Sequence, residues 1–203
     1  MQALRIEPGR PGDDAVVAGL IAETSPGLFA HFCGGDLQTW IELAAAEWRA
    51  EHGVYSHSMG RLARHDTGVL GLSIGYPVER RASIDWSFAA ARAELTPQRW
   101  AAIAAAMAPA VFLSPWLPPD AWYVQNIVVA ASARGKGHQV GAQLMADALA
   151  QARAAGCASV HLDVAAANPA VAFYERQGFR TLVRTEVPAL PDTAVYVRMA
   201  RAL

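Results

Sequence analysis

Ile127-Val128-Val129-Ala130-Ala131-Ser132-Ala133-Arg134-Gly135-Lys136-Gly137-His138-Gln139-Val140-Gly141 decides how this 203-residue chain is read. An apolar strand enters a glycine-rich loop, and the loop enters a long helical pattern carried by Val140, Leu144, Met145 and Ala148. Such a loop turns main-chain amides toward one point, and the helix dipole adds about 0.3–1 kcal/mol of attraction for an anion there. That makes a phosphate cradle; an ordinary glycine turn ahead of a helix is the plainer alternative. A nucleotide-triphosphate loop needs a hydroxyl residue after Gly-Lys, and Gly135-Lys136-Gly137 has none. A dinucleotide fold is imitated by Gly135-Lys136-Gly137 and Asp163. However, the loop begins some way past the strand, and too little chain follows Gly141 for the remaining parallel strands.

Composition narrows the classes. Hydrophobic residues make up 53% and charged residues 17%, so a packed core forms and disorder is excluded for the bulk of the chain. Seventeen basic and eighteen acidic residues nearly cancel, which removes the bulk field a nucleic-acid partner requires. Cys33 and Cys157 are too few for a disulfide scaffold or a four-ligand zinc site, and read as small buried residues in a reducing compartment. Met1 to Pro8 has no signal-peptide pattern, and the most apolar stretch, Trp100 to Leu117, is broken by Pro109 and Pro115. The expectation is a cytoplasmic protein with no membrane partner, no nucleic-acid partner and no metal.

Local signals lay out one domain over 1–203. Leu4 to Ile6 is a strand, and Asp13 or Asp14 caps a helix over 14–24. Leu28 to Cys33 reads as an apolar loop and Leu37 to Ala50 as an amphipathic helix. Tyr55 to Arg64 and Val69 to Tyr76 read as a hairpin about His65-Asp66-Thr67-Gly68. A helical segment follows over 82–119, with Thr96 as cap and Pro97 at the first helical position. Strand 122–130, helix 141–155, strand 159–164, helix 169–176 and strands 179–186 and 194–199 complete the order.

Three pieces carry a resemblance: the loop from Val128 to Gly137, the segment Ala155-Gly156-Cys157 to Asp163-Val164, and Asn168-Pro169-Ala170-Val171-Ala172-Phe173-Tyr174-Glu175-Arg176-Gln177-Gly178-Phe179. In this order and spacing they resemble the GNAT superfamily of N-acetyltransferases, densely over about 120–185 and more loosely before. The resemblance implies an α/β fold of the α+β kind, with a central mixed, mostly antiparallel sheet flanked by helices. In this chain a helical insertion of about 77–121 separates the third and fourth strands. It also implies acetyl-CoA as cosubstrate. Its pyrophosphate would lie on amides from Arg134, Gly135, Lys136, Gly137, His138, Gln139, Val140 and Gly141, and its pantetheine arm along the backbone of Val128 and Val129, near Asn168. The usual Gln/Arg-x-x-Gly-x-Gly/Ala pattern fits only imperfectly at Arg134, and reading it two residues later, from Lys136 to Gly141, puts Gln139 where the middle glycine belongs. A positive φ at Gln139 would cost about 1–2 kcal/mol.

By the same resemblance Tyr174 faces the coenzyme sulfur. A thiol of pKa about 8.5 leaves as thiolate, and a phenol can donate a proton or hydrogen bond to it. Phe173 is assigned to the core. The fourth strand offers Gln125 and Asn126, which cannot take a proton, so a base must come from Glu23, His31, His161 or water. The expected reaction is direct attack of a small-molecule primary amine on the thioester. A protein N-terminal acetyltransferase or a non-catalytic acyl-CoA-binding module are the alternatives. The insertion, with Trp86, Trp100 and Trp116, is expected to wall the acceptor site or to serve structure or a homodimer contact.

Overall fold

A computed structural model describes residues 4–113, 116–135, 139–191 and 195–203. The helices are α1 (Asp14–Ala22), α2 (Pro26–Phe32), α3 (Leu37–Arg49), α4 (Ala89–Ala93), α5 (Pro97–Met107), α6 (Val140–Ala154) and α7 (Ala170–Arg176). The strands are β1 (Arg5–Pro8), β2 (Gly60–His65), β3 (Gly68–Pro77), β4 (Ala121–Val129), β5 (Ser159–Ala165), β6 (Arg180–Glu186) and β7 (Val195–Ala202). They form one sheet in the order β1-β2-β3-β4-β5-β7-β6, in which only β4 and β5 run parallel. The fold is the expected α/β arrangement of a mostly antiparallel sheet between helices.

Alternation along the strands gives each face its own core. One face carries Trp122 and Val124 of β4, Val160 and Leu162 of β5 and Val197 and Met199 of β7, packed under α6 and α7. The other carries Leu62, Leu72, Ile74 and Val128 under α1, α2 and α3. Helix α6 lies close on the sheet because β3 has Gly71 beneath it. A Cβ there would come within 2.7 Å of Val128 O and 2.9 Å of Val140 Cγ1.

Three local expectations change. Leu28 to Cys33 is not a loop: Pro26 at the start fixes a helical φ, and Phe29 then stacks on Trp40 of α3 at 4.4 Å between ring centres, so tertiary packing holds α2. The stretch Tyr55 to Met59 is not strand either. Ser56 accepts the amide of Ser58 and donates toward the Ala50 and Glu51 carbonyls, turning the chain before β2 begins at Gly60. Asp13 precedes α1 without capping it, because its carboxylate accepts from the Arg10 amide at 2.8 Å and from Arg64 at 2.6 Å. The insertion contains the expected helix over Pro97–Met107, and the Thr96 hydroxyl accepts from the Arg99 amide. Among the described residues no single helix is long and apolar enough to cross a membrane.

Candidate active site

Strands β4 and β5 pair from Ala121 opposite Ser159 to Val124 opposite Leu162, and then part. On its other edge β5 pairs with β7 from Ser159 to Ala165, and past Val124 strand β4 has only β3 as a neighbouring strand. A bulge starts the divergence. Ile74 lies opposite Asn126 and Gly75 opposite Val124, so Gln125 has no partner on β3. Gly75 is needed there, since a Cβ would come within 2.6 Å of Trp122 Nε1 and 3.0 Å of Tyr123 O.

The gap has an unpaired main-chain edge. Val128 points its carbonyl at Gly71, and the Ala130 amide donates to Leu70 O at 2.9 Å, so both face β3. By alternation Ile127 and Val129 turn their N–H and C=O groups into the gap. Of the two valines expected to line it, Val129 offers its backbone and Val128 does not, because the sheet already uses that carbonyl. Val129 O accepts from Arg134 Nε at 2.8 Å, and Arg134 Nη2 donates to Glu23 at 2.6 Å. Arg134 thus bridges the mouth of the gap to the end of α1.

Helix α6 begins at this mouth. Gly135 has φ +73° and Gln139 has φ +50°, and no side chain caps the first turn. The helix starts at Val140, as the later reading of the glycine pattern requires, and Gln139 takes the left-handed conformation that reading implies. Lys136, Gly137 and His138 lie outside the described residues. A Cβ on Gly141 would stand 3.5 Å from Val129 Cγ2 and 3.6 Å from Phe173 Cζ. The end of β4, the first turn of α6 and α7 therefore converge, and half-buried Phe173 faces that junction rather than being wholly core.

Tyr174 is buried, with Phe173 and Phe179 rings 5.3 and 5.9 Å away, and packs with Trp122, Val124, Met145 and Leu149. Val124, the last β4 residue paired with β5, belongs to the same buried cluster. Burial raises the phenol pKa above its ordinary value, which keeps it a proton donor. Asn168 begins α7, and its Oδ1 accepts from the Ala170 amide at 2.9 Å, which is a helix-cap role.

On the opposite face the corner between α1 and α2 closes over the parting strands, with three consecutive residues tied to three walls. Glu23 pairs with Arg134, Thr24 accepts from Asn126 Nδ2 at 3.2 Å, and Ser25 shares a 2.7 Å hydrogen bond with Tyr196. Beside them Arg198 donates twice to Asp163, at 2.7 and 2.6 Å, and Tyr123 donates at 2.9 Å, all in a buried setting. Asp163 is therefore the partner of a buried guanidinium. Its sequence signal was a polar residue at an inward position of an apolar alternation, matched by Arg198 on β7. Of the other candidate bases, His31 is exposed on α2 and His161 is buried in the closed part of β5, its pKa lowered by burial and by Arg198. Cys33 is half-buried, and burial pushes its thiol up to about 11, with Asp36 adding to the shift. The insertion packs α4 and α5 outside α2 and α3, with Phe88 and Ile103 in their core. Both ends of the insertion pack on Tyr76 and Tyr123, Val78 and Ile84 from its start and Leu117 from its end, and Trp116 O accepts from Arg198.

The model of the acetyltransferase (GNAT) family matches residues 40–179. The chain belongs to that family. No curated protein matches it in sequence. Among solved structures, an N-acetyltransferase from Staphylococcus aureus Mu50 superposes with a TM-score of 0.70 at 15% identity, covering 97% of this chain and 100% of its own. A GCN5-related N-acetyltransferase from Kribbella flavida gives 0.61 at 20%, covering 99% and 98%. A ribosomal-protein-alanine N-acetyltransferase from Brucella melitensis gives 0.56 at 16%, covering 98% and 100%. At these identities the likeness is one of fold. GNAT proteins are acetyltransferases, and their shared cosubstrate is acetyl-CoA.

Proposed function

We propose that this GNAT protein moves an acetyl group from acetyl-CoA to the primary amine of a small molecule. The observation that supports this best is the open edge at Ile127 and Val129 leading to the start of α6, with Tyr174 in the buried cluster that also holds Val124, the last β4 residue paired with β5. The pantetheine arm pairs with Ile127 and Val129. The pyrophosphate is held by amides of the loop, from Arg134 and Gly135 through Lys136, Gly137 and His138 to Gln139, Val140 and Gly141. Asn168 stands near the arm, and Arg134 swings from Glu23 toward the phosphates.

In the transfer the amine lone pair attacks the thioester carbonyl carbon. The tetrahedral adduct collapses, the C–S bond breaks, and the sulfur leaves as thiolate, to which the Tyr174 phenol donates. The proton lost by the amine passes to water or to Glu23 once Arg134 has left it. Aligning amine and thioester in one gap removes much of the entropic cost of a bimolecular step.

Release of free thiol from acetyl-CoA across a panel of small amines and N-terminal peptides tests the reading. Turnover is expected with a small primary amine. Turnover with peptides alone would move the acceptor to a protein N-terminus, and thermal stabilisation by acetyl-CoA without any turnover would make the chain a binding module. Tyr174→Phe should lower kcat by about 100-fold with coenzyme affinity retained; equal losses in both would remove its role.

A further inference from the structure

Gln125 and Asn126 occupy the bulge where β4 leaves β5, and their side chains point into the same layer. Gln125 Nε2 donates to Val54 O at 2.8 Å, and Asn126 Nδ2 donates to Thr24 at the end of α1. Both Val54 and the last turn of α1 belong to the core beneath α1–α3. Hydrogen-bond chemistry fixes which end of each carboxamide is which. A carbonyl only accepts, so Gln125 must offer nitrogen to Val54. The Thr24 hydroxyl has one proton and gives it to Ile21 O at 2.7 Å, so toward Asn126 it can only accept. Both carboxamide oxygens are thereby left over. Gln125 Oε1 and Asn126 Oδ1 are buried, and among the described residues neither has a hydrogen-bond partner. Asn126 is 8% exposed.

Two buried unsatisfied acceptors on adjacent residues are uncommon and call for a donor. They repel a thioester carbonyl or its oxyanion, which are acceptors too, so they do not serve the acyl group. A neutral primary amine carries two N–H donors and one lone pair. Two acceptors that take both N–H groups leave the lone pair as the one free direction. We propose that the carboxamide oxygens of Gln125 and Asn126 receive the two N–H groups of the acceptor amine, hold its lone pair toward the thioester, and select primary over secondary amines. This rests on the function proposed above and adds the residues that bind the amine.

The surrounding charges agree with a neutral amine. Glu23 of α1 pairs with Arg134, and Asp163 of β5 pairs with Arg198 of β7, while Tyr123 and Tyr196 are hydrogen-bonded to Asp163 and Ser25. Asp163 keeps its cation throughout, and Glu23 has one until Arg134 turns to the phosphates.

The test compares an aliphatic primary amine that turns over with its N-methyl analogue. The wild-type chain should favour the primary amine by about 100-fold in kcat/KM, since a secondary amine leaves one buried acceptor unpaired. Gln125→Met and Asn126→Leu keep volume, and each should cut kcat/KM for the primary amine by about 10-fold or more and bring the ratio below about 10. Thermal stabilisation by acetyl-CoA should persist in both. If either fails to fold, Asn126→Asp is the second variant: a carboxylate there should move the lower limb of the kcat–pH profile to lower pH. Equal losses on both amines, full retention of activity, or an unmoved limb would overturn the assignment and leave the oxygens a structural role. A wild-type chain that binds acetyl-CoA but turns over no amine overturns the proposed function instead.

Discussion

The two halves of β4 share one partner on β3 and differ in everything on the other side. From Ala121 to Val124 the strand is zipped to β5, with His161 opposite Tyr123 and Val160 opposite Trp122. From Gln125 to Val129 no strand pairs on that edge, and Val129 O accepts from the Arg134 side chain instead. The closed half is apolar throughout, whereas the open half begins with Gln125 and Asn126 before Ile127, Val128 and Val129. The one-residue bulge over Gly75 falls where the pairing with β5 stops, while β7 runs along the other edge of β5 for its whole length. The closed half supplies rigidity, and the open half supplies an edge that a ligand can complete.

Breaking the buried Asp163–Arg198 pair should have the largest effect. Arg198→Met leaves Asp163 as an uncompensated buried carboxylate and should cost about 3–5 kcal/mol, lowering Tm by about 10 °C. Arg198→Met with Asp163→Leu should recover much of that loss in a thermal melt. A cycle in which the two losses simply add would mean that the two side chains do not act as a pair.

A smaller effect sharpens the open half. Gln139→Gly relieves a left-handed residue at the start of α6 and should stabilise the chain by about 0.5–1 kcal/mol, or about 1–4 °C in Tm. A fall in Tm would mean that the Gln139 side chain makes contacts that outweigh its strain.

The smallest effect is in the closed half. Burial and the nearby Arg198 hold the His161 pKa below its usual value, against opposing pulls from Asp163 and Asp120. The folded state therefore favours the neutral ring. The stability this contributes is fully present above the ordinary histidine pKa of about 6.5 and is lost as pH falls through the lowered folded value. His161→Gln should flatten the acid side of a Tm–pH curve and leave the neutral plateau nearly in place; an unchanged acid slope would remove His161 as its source.

Legibility in the sequence followed the range of the interactions involved. The strand, glycine loop and helix from Ile127 to Ala154, and the Asn168 to Phe179 helix, could be read because turn residues and helical period are local properties. Leu28 to Cys33 was misread because α2 is held by stacking on Trp40, twelve or fewer residues on but in another helix. Phe173 was assigned to the core because an aromatic beside Tyr174 gives no sign of which way a helix faces. Asp163 imitates the acidic residue of a dinucleotide fold, and its buried partner Arg198 lies 35 residues away on β7; Gln125 and Asn126 read only as residues unable to act as bases.

The sequence by itself carried the resemblance to the family, the order of the strands and the loop that leads into α6, since turn residues and helical or strand periods are set along a few turns of chain. Tertiary structure alone decided which half of β4 is open, that Val129 rather than Val128 faces the gap, and that two carboxamide oxygens on one bulge lack partners. Strand register and hydrogen-bond completion depend on residues brought together from distant parts of the chain, such as Asn126 with Thr24 and Asp163 with Arg198. Neither partner carries a local mark of the other.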